Sequence, residues 1–121
     1  MITAKKLYKG KIYNIYAIYE DDKCFVEEFI SKLKDEDKKK VFALLQRSAD
    51  VGIPKNEEKF KKLSDRIWEF KSYQVRIFCT FEENKIILLI DGFIKKKDKT
   101  PKNEIERAKK LLKRYWEHKN E

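Results

Sequence analysis

The sequence has few of the residues that build metal centres or disulfide-stabilised folds. Only two of its 121 residues are cysteines, Cys24 and Cys79, and they stand far apart without a CxxC pair. His118 is the only histidine. Such a composition signals neither a zinc site nor a disulfide framework. We therefore expect no metal or cofactor, and two reduced thiols in the core of a cytoplasmic protein.

Long apolar segments are also missing. The longest aliphatic run, residues 86–90, is far shorter than the ~20 residues that a membrane-spanning helix needs. The N-terminus lacks the apolar run of a signal peptide, and no linker, repeat or low-complexity segment interrupts the chain. We expect one domain over residues 1–121, located in the cytoplasm and not associated with a membrane.

Positive charge is what the chain has in excess. It carries 30 Lys and Arg against 21 Asp and Glu, a formal net charge of +9. Residues 95–121 hold 11 of these bases against 5 acids, so +6 of the charge is at one end. A polyanion, nucleic acid above all, is the natural partner of such a protein. A basic excess also suits solubility or an acidic protein partner, so charge alone leaves those alternatives open.

The first half of the chain predicts a strand and two helices. Residues 12–19 are rich in Ile and Tyr and predict a strand that follows a basic arm. From residue 24 to 33 apolar side chains recur at three- and four-residue steps, which indicates a helix. A second helix is predicted to end near Gly52, so the two helices should form a hairpin. Phe60 and Leu63 suggest a short helical turn.

The second half changes to a period of two. Residues 67–71, 75–81 and 85–94 predict three strands of an antiparallel meander. Thr100 and Pro101 resemble an N-cap hydroxyl and a proline at the first helical position. A stripe of apolar residues from 105 to 116 then predicts a final helix. The fold class is α+β, with the order strand, helix, helix, three strands, helix.

Arg76 is unusual because it interrupts an apolar strand. By alternation it faces away from Val75 and Ile77. Its guanidinium must reach solvent, a carboxylate or a phosphate, because burying it unpaired is very costly. A run of lysines follows the last strand beyond Gly92, which we expect to give a flexible entry to that segment. The plain alternative for these lysines is a solvated loop.

Several segments together resemble the RelE/HigB-type toxins. The family pattern is a strand LWELR, then YRV or YRI, then an apolar strand, and then GFxKKxxKTP, which leads into a helix with ExxxA. The counterparts in this chain are, in the same order, IWEFK, VRIF, IILLI and GFIKKKDKTP. The helix that follows contains Glu104 and Ala108 at the ExxxA positions. The motifs cover the C-terminal half, and the first half agrees in its strand and two helices. The chain departs from the family at Lys71, where arginine is usual. An arginine there could bind a phosphate through two hydrogen bonds, whereas a lysine offers only a single point charge.

The resemblance implies an mRNA endonuclease that cuts translated message, usually on the ribosome, and a separate antitoxin that is often a helix-turn-helix protein. Metal-free cleavage requires side chains to deprotonate the 2′-hydroxyl, stabilise the pentavalent phosphate and protonate the leaving 5′-oxygen. Arg76 is the candidate for charge stabilisation, with Lys71 beside it. Further candidates are Lys96 and His118 for catalysis, and Lys95, Lys99, Arg66 and Trp68 for RNA binding.

Two other functions stay open at this point. The same surface fits a non-catalytic nucleic-acid-binding module, or a partner-binding protein whose activity has been lost. His118 near the C-terminus is also typical of a surface histidine, and Trp68 of core packing. The position of Arg76 is decisive: a place on the far side of the sheet from the lysines, or burial against a carboxylate, would remove the chemical basis of the nuclease hypothesis.

Overall fold

A computed structural model describes residues 1–96 and 100–119. Three helices and a mixed sheet make up the described part of the chain, so the predicted α+β class is confirmed. The elements, in chain order, are β1 (Ile2–Lys9), β2 (Asn14–Glu20), β3 (Lys23–Cys24), α1 (Phe25–Ser31), α2 (Asp35–Val51), β4 (Phe60–Ser64), β5 (Ile67–Ser72), β6 (Val75–Glu82), β7 (Ile86–Ile94) and α3 (Lys102–Lys119).

The strands follow the order β1-β2-β7-β6-β5-β4, and β3 forms a short pair with β2. Strands β4 to β7 form an antiparallel meander, as the sequence predicts for its last three members. β2 pairs with β7 in parallel, from Asn14 opposite Ile86 to Ala17 opposite Leu89. This pairing joins the N-terminal hairpin to the meander and completes one sheet.

Two of the sequence predictions are wrong. The segment predicted as a basic arm is β1, which pairs with β2 along its length. The predicted helical turn is β4, in which Phe60 lies opposite Phe70 of β5. Both strands occupy an edge of the sheet. Each carries two consecutive lysines, in keeping with the charged residues that edge strands commonly have.

Helices cover both faces of the sheet. α1 and α2 pack on one face, which includes Ile77 and Cys79 of β6. α3 packs on the other, which includes Phe78 of β6 and Leu88 of β7. We call these the α1/α2 face and the α3 face. Successive residues of a strand point to opposite faces, so the alternation in β6 decides which of its side chains meets which helix.

Gly92 lies within β7 and does not provide the flexible entry that the sequence suggested. A Cβ atom built on Gly92 would lie 2.5 Å from the Cδ2 atom of Phe29 and 2.8 Å from the backbone oxygen of Arg76. Only glycine leaves room for such a close approach. Gly92 thus allows the ring of Phe29 on α1 to pack directly against the backbone of β7.

The cysteines and the last helix agree with most of what the sequence predicts. Cys24 and Cys79 are both free and buried. α3 begins directly after Pro101, but the hydroxyl of Thr100 donates a hydrogen bond to Glu69 at 3.0 Å, so the predicted capping role of Thr100 is not what this hydroxyl does. No helix within the described residues is long and apolar enough to cross a membrane.

Candidate nucleic-acid interface

A buried pair of opposite charges lies on the α3 face of the sheet. Glu69 of β5 is 2% exposed and Arg76 of β6 is 6% exposed. Oε1 of Glu69 lies 3.8 Å from Nε of Arg76. The sequence predicted that Arg76 must meet solvent, a carboxylate or a phosphate. The carboxylate of Glu69 meets it.

Backbone carbonyl groups complete the surroundings of the guanidinium. Nη1 of Arg76 donates hydrogen bonds to the carbonyl oxygens of Tyr73 and Val75, the latter at 3.1 Å. Nε finds no hydrogen-bond acceptor among the described residues. On the other side of the pair, Thr100 donates to both oxygens of Glu69, at 3.0 and 3.2 Å. Arg76 is therefore held by protein atoms and is not open to a phosphate in this conformation.

Three lysines surround this pair. In the strand register Lys71 lies opposite Arg76 and Lys61 opposite Glu69, so both share the α3 face. Lys95 follows β7, and its backbone N–H donates to the carbonyl of Gln74 at 2.7 Å. No described residue forms a salt bridge with any of the three, which we call the lysine cluster: Lys61, Lys71 and Lys95.

Lys71 is the member whose electrostatic surroundings are most altered. Burial lowers the pKa of Lys71 below its ordinary value of 10.5. The carboxylate of Glu69 acts in the opposite direction, while the positive charges of Arg76, Lys61 and Lys95 lower the pKa further. A lysine with a lowered pKa can exchange a proton at a pH closer to neutral.

The structure brings some of the predicted site residues together and separates others. The positive charges of Arg76 and Lys95 both act on Lys71, so these three residues lie in one region. Lys96 is exposed and follows Lys95 directly. Lys99 lies outside the described residues.

Trp68 and Arg66 do not belong to the lysine cluster. Trp68 belongs to the α1/α2 face, where its ring centroid lies 5.0 Å from that of Phe81. Arg66 is in the turn between β4 and β5, with its guanidinium carbon 5.1 Å from the ring centroid of Trp116. Trp68 therefore packs as a core residue, in agreement with the alternative that the sequence left open, and neither side chain faces Arg76.

His118 is distant from the lysine cluster. It lies near the end of α3, where its neighbour Lys119 pairs with Glu82 at 3.1 Å. Glu82 ends β6, six residues beyond Arg76, a separation of about 20 Å along an extended strand. The half-buried His118 thus occupies the opposite end of the sheet. It cannot act on the same phosphate as Lys71 within one chain.

Glu69 and Lys61 belong to the site but were not predicted from the sequence. Glu69 carries the same signal that marked Arg76, a charged residue within an apolar strand, and the two strands are neighbours in the predicted meander. A buried arginine needs a buried anion, so Glu69 could have been identified as that partner. Lys61 could not be identified, because residues 60–63 were predicted to be helical rather than a strand of the sheet.

No group of three or more His, Cys, Asp or Glu side chains that could hold a metal ion occurs among residues 1–96 and 100–119. The described site consists of cations around one buried carboxylate.

The fold and this surface define a small α+β protein with a cluster of lysines at one end of its sheet, none of which forms a salt bridge with a described residue. Residues 28–113 match the family described as "phage derived protein Gp49-like (DUF891)". The match spans most of the chain, and the protein belongs to this family of toxin-like proteins. No curated protein gives a significant match to the sequence.

Proposed function

We propose that the chain is the toxin of a toxin-antitoxin pair, of the RelE/HigB type, and that it cleaves mRNA without a metal ion. The observation that carries the proposal is the lysine cluster. Lys71 and Lys95 come from motifs in separate segments of the chain. Lys71 lies beside the buried charge pair and is affected by the charge of Lys95, and neither lysine forms a salt bridge with a described residue. Cations that no salt bridge of the described residues neutralises are suited to binding a phosphate.

In the proposed reaction the 2′-oxygen of one nucleotide attacks the adjacent phosphorus, and the bond from phosphorus to the 5′-oxygen breaks. The neutral form of Lys71 takes the proton from the 2′-hydroxyl, a role for which its lowered pKa is suited. The ammonium of Lys95 stabilises the negative charge that grows on the phosphate. The 5′-oxygen leaves with a proton from an ammonium group of the same surface. The products are a 2′,3′-cyclic phosphate and a 5′-hydroxyl.

The burial of Arg76 against Glu69 removes the basis on which the sequence suggested a nuclease, so this proposal gives Arg76 a different role. Its guanidinium is engaged by Glu69 and by the Tyr73 and Val75 carbonyls. We therefore assign it as a positioning residue, which fixes the turn between β5 and β6 and adds positive charge beneath Lys71. Direct contact with the phosphate passes to Lys71 and Lys95.

A non-catalytic nucleic-acid-binding module is the second candidate, and the burial of Arg76 favours it. A surface that only binds the phosphate backbone of RNA needs neither an exposed arginine nor a proton transfer. It would bind RNA with a strong dependence on salt and leave message intact. Both candidates predict RNA binding by the lysine cluster, so cleavage is what separates them.

The antitoxin partner is part of the proposal. The resemblance to RelE/HigB-type toxins implies a helix-turn-helix protein encoded next to this chain, and co-expression of that neighbour should restore growth. A neighbouring gene that fails to relieve growth arrest would contradict the pairing.

The decisive experiment maps the 5′ ends of cellular mRNA after brief induction of the wild-type chain, of Lys71→Gln and of Lys39→Gln. Lys39 is exposed on α2, so its variant loses the same charge elsewhere. We expect new 5′ ends in translated regions with the wild type and with Lys39→Gln. With Lys71→Gln we expect about 100-fold fewer, the contribution typical of a general base.

Each other outcome contradicts part of the proposal. Equal cleavage by all three proteins would remove Lys71 from the reaction. If the wild type produces no new 5′ ends but the purified protein still binds RNA, the nuclease proposal is wrong and the non-catalytic binding module is supported. Repeating the cleavage on purified message with and without ribosomes tests the proposed dependence on translation.

A further inference from the structure

A second basic surface lies on the other side of the β5–β6 turn. A groove of about 800 Å³ separates α2 from the segment that leads into β4 and from the turn after β5. Its floor consists of small and apolar residues. They are Ala43, Leu44, Ser48, Val51, Gly52, Ile53 and Pro54. This floor leaves room for a flat ring to lie against it.

Cations from three parts of the chain line the same groove. Lys40 and Arg47 come from α2, and Lys59 directly precedes β4. Lys71 of β5 also borders the groove, while its side chain shares the α3 face by strand alternation. The backbone fixes the last two relative to each other, because the N–H of Lys71 donates to the carbonyl of Lys59 at 2.8 Å. None of the four forms a salt bridge within the described part of the chain, and Glu58 is the one acidic residue that lines the groove there.

Tyr73 stands at the mouth of this groove. Its side chain is in the turn between β5 and β6 and is 74% exposed. The Nζ atom of Lys40 lies 4.3 Å from the centroid of its ring. Its backbone φ is 56°, a left-handed conformation that is uncommon outside glycine and asparagine. The carbonyl of Tyr73 accepts a hydrogen bond from Arg76, so the buried arginine helps to hold an exposed ring in place.

We infer that this groove binds a single-stranded RNA segment next to the phosphate that the lysine cluster holds. Lys71 borders the groove and belongs to the lysine cluster, so the two surfaces adjoin at this residue. The cations of the groove can bind the phosphate backbone of the RNA, and the exposed ring of Tyr73 can stack on a base. Proteins that bind single-stranded nucleic acids commonly combine these two features. The inference rests on the proposed function, because it names where the substrate of that site continues.

An acidic polypeptide is the competing occupant, and three features favour RNA. The groove adjoins the lysine cluster at Lys71. Its small-residue floor and the exposed ring of Tyr73 suit flat bases. The cations line a path beside that floor, as a phosphate backbone requires. An acidic peptide would use the charges but not the ring.

The first test measures binding of an uncleavable, 2′-O-methylated 12-nucleotide RNA by fluorescence anisotropy at several salt concentrations. The double variant Lys40→Gln/Arg47→Gln is compared with Lys34→Gln/Lys39→Gln, which loses the same charge at exposed positions outside the groove. The slope of log affinity against log salt should fall by about 1.4 in the groove variant, about 0.7 for each lost phosphate contact. The control should keep the wild-type slope. Equal slopes for the two variants would overturn the inference.

The second test concerns stacking on Tyr73. Tyr73→Ala should weaken RNA binding about tenfold, within the range for loss of one base–aromatic stack, whereas Tyr73→Phe should bind as the wild type does. Wild-type affinity in Tyr73→Ala would contradict stacking on this ring. Displacement of the RNA by a 20-residue polyglutamate peptide, with peptide affinity unchanged in Tyr73→Ala, would identify a polypeptide site instead.

The two proposals can fail separately. If the wild type cleaves mRNA and Lys40→Gln/Arg47→Gln leaves both KM and RNA affinity unchanged, the groove fails and the nuclease stands. If the wild type cleaves nothing and the groove variant still loses RNA affinity, the groove stands and the nuclease fails. When both hold, the groove variant should raise KM several-fold without lowering kcat, because it removes binding away from the reacting atoms.

Discussion

Glu69 lies diagonally across from Arg76 on the neighbouring strand, with 3.8 Å between Oε1 of the glutamate and Nε of the arginine. Lys71, directly opposite Arg76, lies on the same face. Like charges directly opposite each other in a sheet destabilise it. The single buried carboxylate offsets this repulsion, which allows lysines to gather on the surface above it.

Loss of one partner of this pair should be costly. Arg76→Ala leaves the carboxylate of Glu69 buried without its counter-ion, so the free energy of unfolding should fall by about 3 kcal/mol. The double variant Glu69→Leu/Arg76→Met should be within about 1 kcal/mol of the wild type, because it removes both charges. Urea unfolding measures both values. An Arg76→Ala midpoint equal to that of the wild type would show that the pair does not stabilise the fold.

The lowered pKa of Lys71 predicts the pH dependence of cleavage. The neutral amine is the reactive form, so log kcat should rise with pH at unit slope and level off at the pKa of Lys71. That pKa lies below 10.5 because burial disfavours the charged form. Lys71→Arg should lack this rise, since an arginine stays charged. A rise that persists unchanged in Lys71→Arg would assign the titration to another group.

Gly92→Ala should destabilise the protein by about 2 kcal/mol, because the added methyl group overlaps the ring of Phe29 and the backbone oxygen of Arg76. Phe29→Leu in the same chain should recover part of this loss by removing the ring. Thermal unfolding of the two single variants and the double variant gives the coupling between them. Additive losses would show that the ring of Phe29 is not what excludes a side chain from position 92.

Trp68 should matter for stability and not for RNA. It is half-buried on the α1/α2 face, packed against Phe81 and beneath the ammonium of Lys62. Trp68→Ala should lower the free energy of unfolding by about 3 kcal/mol. Its affinity for the methylated RNA, measured where the variant is fully folded, should equal that of the wild type. A tenfold loss of affinity in the folded variant would place Trp68 in the RNA interface.

The elements that the sequence predicts well are those with long apolar patterns. The two N-terminal helices, the last three strands of the meander and the final helix all occur close to their predicted positions. β1 and β4 were missed for one physical reason. Each contains a register shift, beside Leu7 and Leu63, and an extra residue breaks the period of two by which a strand is recognised. Their exposed lysines further conceal the pattern.

The site was predictable where its residues lie in recognisable strands. Motifs selected Lys71, Arg76 and Lys95, and the antiparallel meander brings them together. The ion pair of Arg76 with Glu69 was not predictable. Whether a guanidinium contacts a phosphate or a carboxylate depends on which residue the strand register places next to it. The separation of His118 follows from the direction of α3 along the sheet, which the sequence pattern does not reveal.

The lysines of the two outer strands have a consequence for the behaviour of the chain in concentrated solution. β1 carries Lys5 and Lys6, and β4 carries Lys61 and Lys62. If one molecule were to add its outer strand to that of another, rows of ammonium groups would meet and repel each other. We therefore expect this charge to oppose edge-to-edge growth into fibrils, and raising the ionic strength should weaken the repulsion.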